Sequence, residues 1–229
     1  MAGTCFDMIR LLSFVRMSLA SLVFVSHACR NPNNNHPPYA TTGIYPLILD
    51  ANKQEEETTL KVWHDLLNSL AHARQSLEAN DAEAHQNLMA IFGTNNDACR
   101  LAVLERIRMM DERISKQKYT IRLFSGTPTN FSGHFSMAAY TNRGSDPVIH
   151  LNRSQINGGF LTKGLIAHEL SHNAAATSDY GYIEQSYYRN SRGEQTPKLN
   201  YVINEKNMPV DVSKRVRNAD NYSLLIQQY

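Results

Sequence analysis

The chain has 229 residues, 42% of them hydrophobic and 19% charged, with a formal net charge of +2. That length suits one domain able to bury a substantial core without depending on disulfides, and the composition excludes wholesale disorder. Lysine and arginine are spread along the chain with no basic patch and no nucleic-acid motif, so nucleic acid is excluded as a partner.

The N-terminus differs from the rest of the chain. Arg10 and Arg16 precede the apolar run Met17 to Val25, and Ser26-His27-Ala28 offers small residues at the positions a signal peptidase reads. Residues 1–28 are therefore expected to be a signal peptide, and the protein to be secreted or extracytoplasmic. An apolar run of about nine residues falls well short of the ~20 that cross a bilayer, so no stable membrane insertion is expected. Two other readings remain: an apolar helix packed on the domain, or an uncleaved N-terminus on an effector delivered by a dedicated secretion machine. Cleavage leaves Cys29 and Cys99, which can bridge in an oxidising compartment or stand as two thiols. Residues 29–38, containing NPNNNHPP, read as a polar linker, and 39–229 as the folded domain.

Three helical patterns open the domain. Asn52 with Glu55 three residues on forms a capping box ahead of a stripe of Leu60, Trp63, Leu67, Leu70 and Leu77. A second helix runs from Asp81 to about Phe92 and stops at Gly93, and a third runs from Asp97 through Leu101, Leu104, Ile107, Met110 and Ile114. Short β-prone runs come next at Tyr119–Leu123, Met137–Thr141 and Val148–Leu151. Leu161–Ala176 is again helical with Thr162 as cap. Arg189–Asn200 reads as a polar loop, and a helical tail begins near Pro209. Helices, a few strands, then helices fit an α+β fold, mainly helical with a small β-sheet, better than an alternating parallel-sheet fold.

The strongest chemical signal is His168-Glu169-Leu170-Ser171-His172, an H-E-x-x-H sequence within a helical stretch. Residues four apart share a helix face, so both imidazoles can reach one Zn²⁺ at about 2.0–2.1 Å, with Glu169 beside the open coordination position. An ion there lowers the pKa of a coordinated water toward ~7 and polarises a carbonyl, and Glu169 can take the proton. Leu165, Ile166 and Leu170 make the rest of this helix apolar, so its polar face must meet a partner; the alternative to a metal is a hydrogen-bonded core face. A catalytic zinc needs a third protein ligand. Asp179 lies just downstream, and His134 and His150 lie upstream; read alone, Asp179 is also an ordinary turn residue and Tyr182 an ordinary core aromatic.

The string Ala176-Thr177-Ser178-Asp179-Tyr180-Gly181-Tyr182 resembles the second motif of the aspzincin metallopeptidases, the deuterolysin-type and peptidyl-Lys family, in which H-E-x-x-H is followed by G-T-x-D-x-x-Y-G. Thr177, Asp179 and Tyr182 match in register, whereas Ala176 and Ile183 replace the flanking glycines. The resemblance implies a zincin-like metallopeptidase domain, one catalytic zinc held by His168, His172 and Asp179, and Tyr182 as a catalytic residue donating to the oxyanion. Asn218-Ala219-Asp220-Asn221-Tyr222 is similar to the family's closing N-A-D segment and extends the likeness over roughly the last third of the chain. In lysine-selective members an acid at the position of Asp220 meets the substrate ammonium, which makes Asp220 the candidate substrate-binding residue here; Ser223 stands where a second acid is expected. Read without the family, Asp220 is a helix-terminus or turn aspartate.

The expected activity is thus hydrolysis of polypeptide substrates by a monomeric zinc metalloendopeptidase, with Glu169 as general base. A zinc hydrolase of non-peptide amides and a non-catalytic, zinc-stabilised secreted binding protein are the rival readings. His64, His72 and His85 fall in helical segments and carry no expected metal. Asn130-Phe131-Ser132, Asn152-Arg153-Ser154 and Asn221-Tyr222-Ser223 are glycosylation-type triplets.

Overall fold

The computed structural model describes residues 44–126, 138–142, 144, 146–184, 187–189, 195–197, 201–203 and 210–229, with only the strand backbones between 182 and 203. The expected signal peptide and linker, Cys29, His134 and the Asn130 triplet lie outside the described residues. The elements are β1 (Leu47–Leu49), α1 (Lys53–Ala79), α2 (Ala82–Phe92), α3 (Asp97–Lys116), β2 (Thr120–Phe124), β3 (Ala139–Thr141), β4 (Val148–Asn152), α4 (Arg153–Asn157), α5 (Lys163–Ala175), β5 (Tyr182–Glu184), β6 (Tyr187–Arg189), β7 (Gln195–Pro197), β8 (Tyr201–Ile203), α6 (Val212–Arg215) and α7 (Ala219–Gln228). The fold is α+β, mainly helical with a small sheet, as the order of sequence patterns implies.

The helices begin where side chains satisfy their first amides. Asn52 and Glu55 form the reciprocal capping box of α1, with Glu55 N donating to Asn52 Oδ1 at 3.0 Å and Asn52 N to Glu55 Oε2 at 2.9 Å. Asp81 and Asn96 cap α2 and α3, each side chain accepting from an amide of the first turn. Trp63, Leu66, Leu67, Leu70, Ala73 and Leu77 of α1 pack with Val103, Leu104, Ile107, Met110 and Ile114 of α3 in one buried cluster. Ile166, Ala167 and Leu170 from α5 and Leu224, Leu225 and Ile226 from α7 join it. Leu101, expected on the apolar stripe of α3, is 53% exposed. At 3.6 residues per turn its position, six before Ile107, falls about a third of a turn off the stripe, so it faces outward.

The main sheet has the order β1-β2-β4-β3, with β1, β2 and β4 parallel and β3 antiparallel to β4. Alternation puts Ile121, Leu123, Ile149 and Leu151 into the helical core, while Arg122, His150 and Tyr140 line up across the other face. Strand β1 spans three residues, too few to show a period, and the sequence does not mark it. The stretch read as a loop over Arg189–Asn200 contains β7, which pairs with β6, and β5 pairs with β8. The tail is two helices, α6 and α7, and α4 is a further short helix. No helix among the described residues is long and apolar enough to cross a membrane.

Candidate metal centre

Helix α5 carries the H-E-x-x-H sequence. Thr162 starts it, its side chain accepting from Leu165 N at 3.2 Å, and Ala176 ends it by turning left-handed at φ 51° with its N–H on Ser171 O. That reversal folds Thr177 to Asp179 back alongside His172. Three ligand atoms then meet: His168 Nε2 and His172 Nε2 are 3.1 Å apart, and Asp179 Oδ1 stands 3.1 Å from His172 Nε2 and 3.3 Å from His168 Nε2. Atoms held at about 2.0–2.1 Å by a tetrahedral zinc are about 3.3–3.4 Å from one another. The triangle therefore has nearly the size of one face of a zinc site.

The far side of each ring supports the same reading. His168 Nδ1 is 2.7 Å from Asp220 Oδ1, and His172 Nδ1 is 3.0 Å from the Thr177 carbonyl oxygen. Each Nδ1 faces an acceptor, so a neutral imidazole at either position carries its hydrogen there and turns the Nε2 lone pair into the triangle. Two lone pairs and a carboxylate oxygen converge with no donor among them. Such a site calls for a cation, either a proton or a metal ion. Burial works against charging His168, but hydrogen-bonded Asp220 and Asp179, with Glu169 nearby, outweigh it and hold its pKa well above the ordinary imidazole value. For Asp179, burial is likewise outweighed by the two histidines, which hold its carboxyl below the usual range.

Glu169 is 5% exposed. Burial raises its pKa, His168 and His172 pull it down, and Asp179 and Asp220 push it up again, with a net rise. Ser171 and Thr177 knit helix to turn: the Ser171 hydroxyl donates to His168 O at 2.7 Å and lies 2.7 Å from Thr177 Oγ1. Asn173, one residue past His172, is buried with both ends of its amide engaged. It accepts from Tyr119 OH at 2.7 Å and donates to Asn142 O and Asp146 O, each at 2.9 Å, tying α5 to the β3–β4 connection. Burial pushes the Tyr119 phenol up to about 12, against the pull of Arg113, so it remains a donor.

Among the described residues, His168, His172 and Asp179 are the one group of metal-ligating side chains brought together. Asp220, which the resemblance places at a substrate ammonium, turns its Oδ1 to His168, with its side chain 13% exposed. Tyr182 opens β5 just past Asp179, and its phenol lies outside the described side chains. Cys99 is buried in the first turn of α3, where burial raises its thiol pKa. His150 stacks on Tyr140 at 4.3 Å on the outer face of the sheet. His64, His72 and His85 hold partners in Asn68, Glu83 and Asn95. Asn152 and Asn221 are too buried to accept a glycan: Asn152 is 5% exposed and caps α4, and Asn221 is 0% exposed. Ser171 and Asn173 occupy no fixed position of a motif, and their one signal in the sequence is polarity on a helix whose other faces are apolar.

No family model matches the chain, and no curated protein matches it. Among solved structures, a zinc peptidase from Grifola frondosa is similar, with a TM-score of 0.56 at 16% identity over 78% of this chain and 97% of that one. The two share a fold.

Proposed function

We propose that the protein is a secreted zinc metalloendopeptidase of the aspzincin kind, with His168, His172 and Asp179 as ligands and Glu169 as general base. The observation that carries the reading is the triangle of ligand atoms with sides of 3.1, 3.1 and 3.3 Å, sized for zinc and set on a fold shared with a zinc peptidase. Held there, zinc supplies Lewis acidity toward water and toward a substrate carbonyl. Glu169, buried with a raised pKa, accepts the proton of the attacking water and passes it to the leaving amine. Asp220 and the Thr177 carbonyl hold the rings in the tautomer that leaves both Nε2 atoms free to bind metal. Tyr182 takes the role the resemblance gives it, a phenol donating to the developing oxyanion. Export rests on the positive, apolar and small-residue order of residues 1–28.

Incubation of the zinc-loaded protein with a mixed peptide library, beside a chelated sample, Glu169→Gln and a panel of small amides, tests the reading. Peptide cleavage should vanish on chelation and fall about 10²–10⁴-fold in Glu169→Gln while zinc content stays unchanged. Cleavage of small amides alone would move the activity to another hydrolase class. Binding of zinc with no hydrolysis, and a biological effect indifferent to Glu169→Gln, would leave a binding protein.

A further inference from the structure

The third ligand is the least anchored of the three. Asp179 sits on a turn beyond the end of α5, with its side chain 38% exposed, whereas both histidines are fixed by the helix. Yet its carboxylate oxygen lies 3.1–3.3 Å from both rings, so something else must hold the turn.

Asn218, fully buried just ahead of α7, meets that need. Its Oδ1 accepts from Tyr180 N at 2.7 Å and from Gly181 N at 3.1 Å, the two amides directly after Asp179. On the other flank Ser178 N donates to Arg217 O at 2.8 Å, and Ala219 N donates to Ser178 O at 3.1 Å. The Asn218 amide is itself fixed: Nδ2 donates to Asn221 Oδ1 at 2.9 Å, and Asn221 Nδ2 donates to Ile91 O, at the end of α2, at 2.8 Å. Asn218 and Asn221 are each 0% exposed, and one fixes the orientation of the other. The two asparagines thus join the metal turn to the helical scaffold through buried hydrogen bonds.

We infer that Asn218 is a positioning residue for the metal site, holding Asp179 in the ligand geometry before any ion arrives. This rests on the metal reading and deepens it. A preordered third ligand spares the ordering of a loop on binding, and its loss shows as weaker affinity rather than as a changed ligand set. With Asp220 two residues on, the start of α7 then supports two ligands from separate segments.

The test is a double-mutant cycle read by zinc affinity, measured in competition with a chromophoric chelator. Asn218→Ala should weaken zinc binding about 10–100-fold, as loss of an outer-shell partner does. In an Asp179→Ala background, where only the histidine pair remains, the same change should have almost no effect. Asn218→Asp keeps an oxygen for the Tyr180 and Gly181 amides but loses the donor to Asn221 Oδ1, so it should fall between the native protein and Asn218→Ala in affinity, and amide exchange at Tyr180 and Gly181 should quicken most in Asn218→Ala. If the alanine variant does not fold, Asn218→Leu, which fills the volume without an acceptor, carries the same cycle. Equal weakening in both backgrounds, or none in either, overturns the inference and leaves the metal reading standing. Indifference of zinc binding to His172→Ala, or no binding by the unmodified protein, removes the metal reading and the inference with it.

Discussion

The α1–α3 layer and the metal region at α5 and α7 are built on opposite principles. The first is an apolar contact surface: Trp63, Leu66, Leu70, Val103, Ile107 and Met110 are all 0% exposed, and non-directional burial holds them. In the second, Asp220, Thr177, Ser171, Asn173, Asn218 and Asn221 make directed hydrogen bonds, and the histidine rings are aimed by such partners. Burial tolerates changes of shape better than of volume, whereas a polar network fails at whichever member is removed. The helical layer should thus govern whether the protein folds, and the polar region whether it binds metal. Trp63 and Tyr119, with rings 5.7 Å apart, connect the two, since the Tyr119 hydroxyl reaches Asn173.

The sharpest way to break this division is Trp63→Ala. It should cost about 3–5 kcal/mol of stability, read by denaturant unfolding, and leave zinc affinity of the folded fraction unchanged; a parallel loss of affinity would mean that the core tunes the site. Next in size, Asp220→Asn should weaken zinc binding about 10–100-fold and, because Asp220 holds the His168 proton, lower the melting temperature of the metal-free protein by less than Trp63→Ala does. A drop in stability as large as that of Trp63→Ala would erase the distinction.

A smaller effect lies in pH. His168 has a raised pKa in the metal-free protein, so its stabilisation is present below the ordinary imidazole value of about 6.5 and lost as pH rises through the raised value. Asp179 has a lowered pKa, so its contribution is present above the ordinary value of about 3.9 and lost as pH falls below it. Metal-free protein should be most stable in mild acid, and zinc should move the optimum upward by replacing the His168 proton. Melting curves across pH, with chelator and with zinc, measure both arms; coincident optima would contradict the shared cation site. The smallest expected effect is a gain. Ala176 is exposed at φ 51°, a left-handed position where the resembled family has glycine, and Ala176→Gly should stabilise by about 0.5–1 kcal/mol in thermal unfolding without altering zinc affinity.

Much of the fold was legible because its signals are local. The capping box at Asn52 and Glu55, the stop at Gly93 and the stripe from Trp63 to Leu77 each arise from spacings of a turn or so along one segment. Leu101 misled because an apolar residue near the stripe, though off its axis, looks like a member of it. Strand β1 was missed since three residues carry no period; it exists by pairing with β2, far along the chain. In the site, the histidine spacing was readable directly, and Asp179 through the motif that resembles the aspzincins.

The sequence by itself determined that a helix presents His168, Glu169 and His172 together, because 3.6 residues per turn leave no other outcome once that helix forms. It also determined the α+β order and the faces that must be buried. Only the tertiary structure decided what stands behind those ligands. Asp220 reaches His168 across 52 residues and Asn218 reaches the turn after Asp179 across 38; contacts so distant depend on how α7 docks against α5, and hydrogen bonds made by docking leave no periodic trace in either segment.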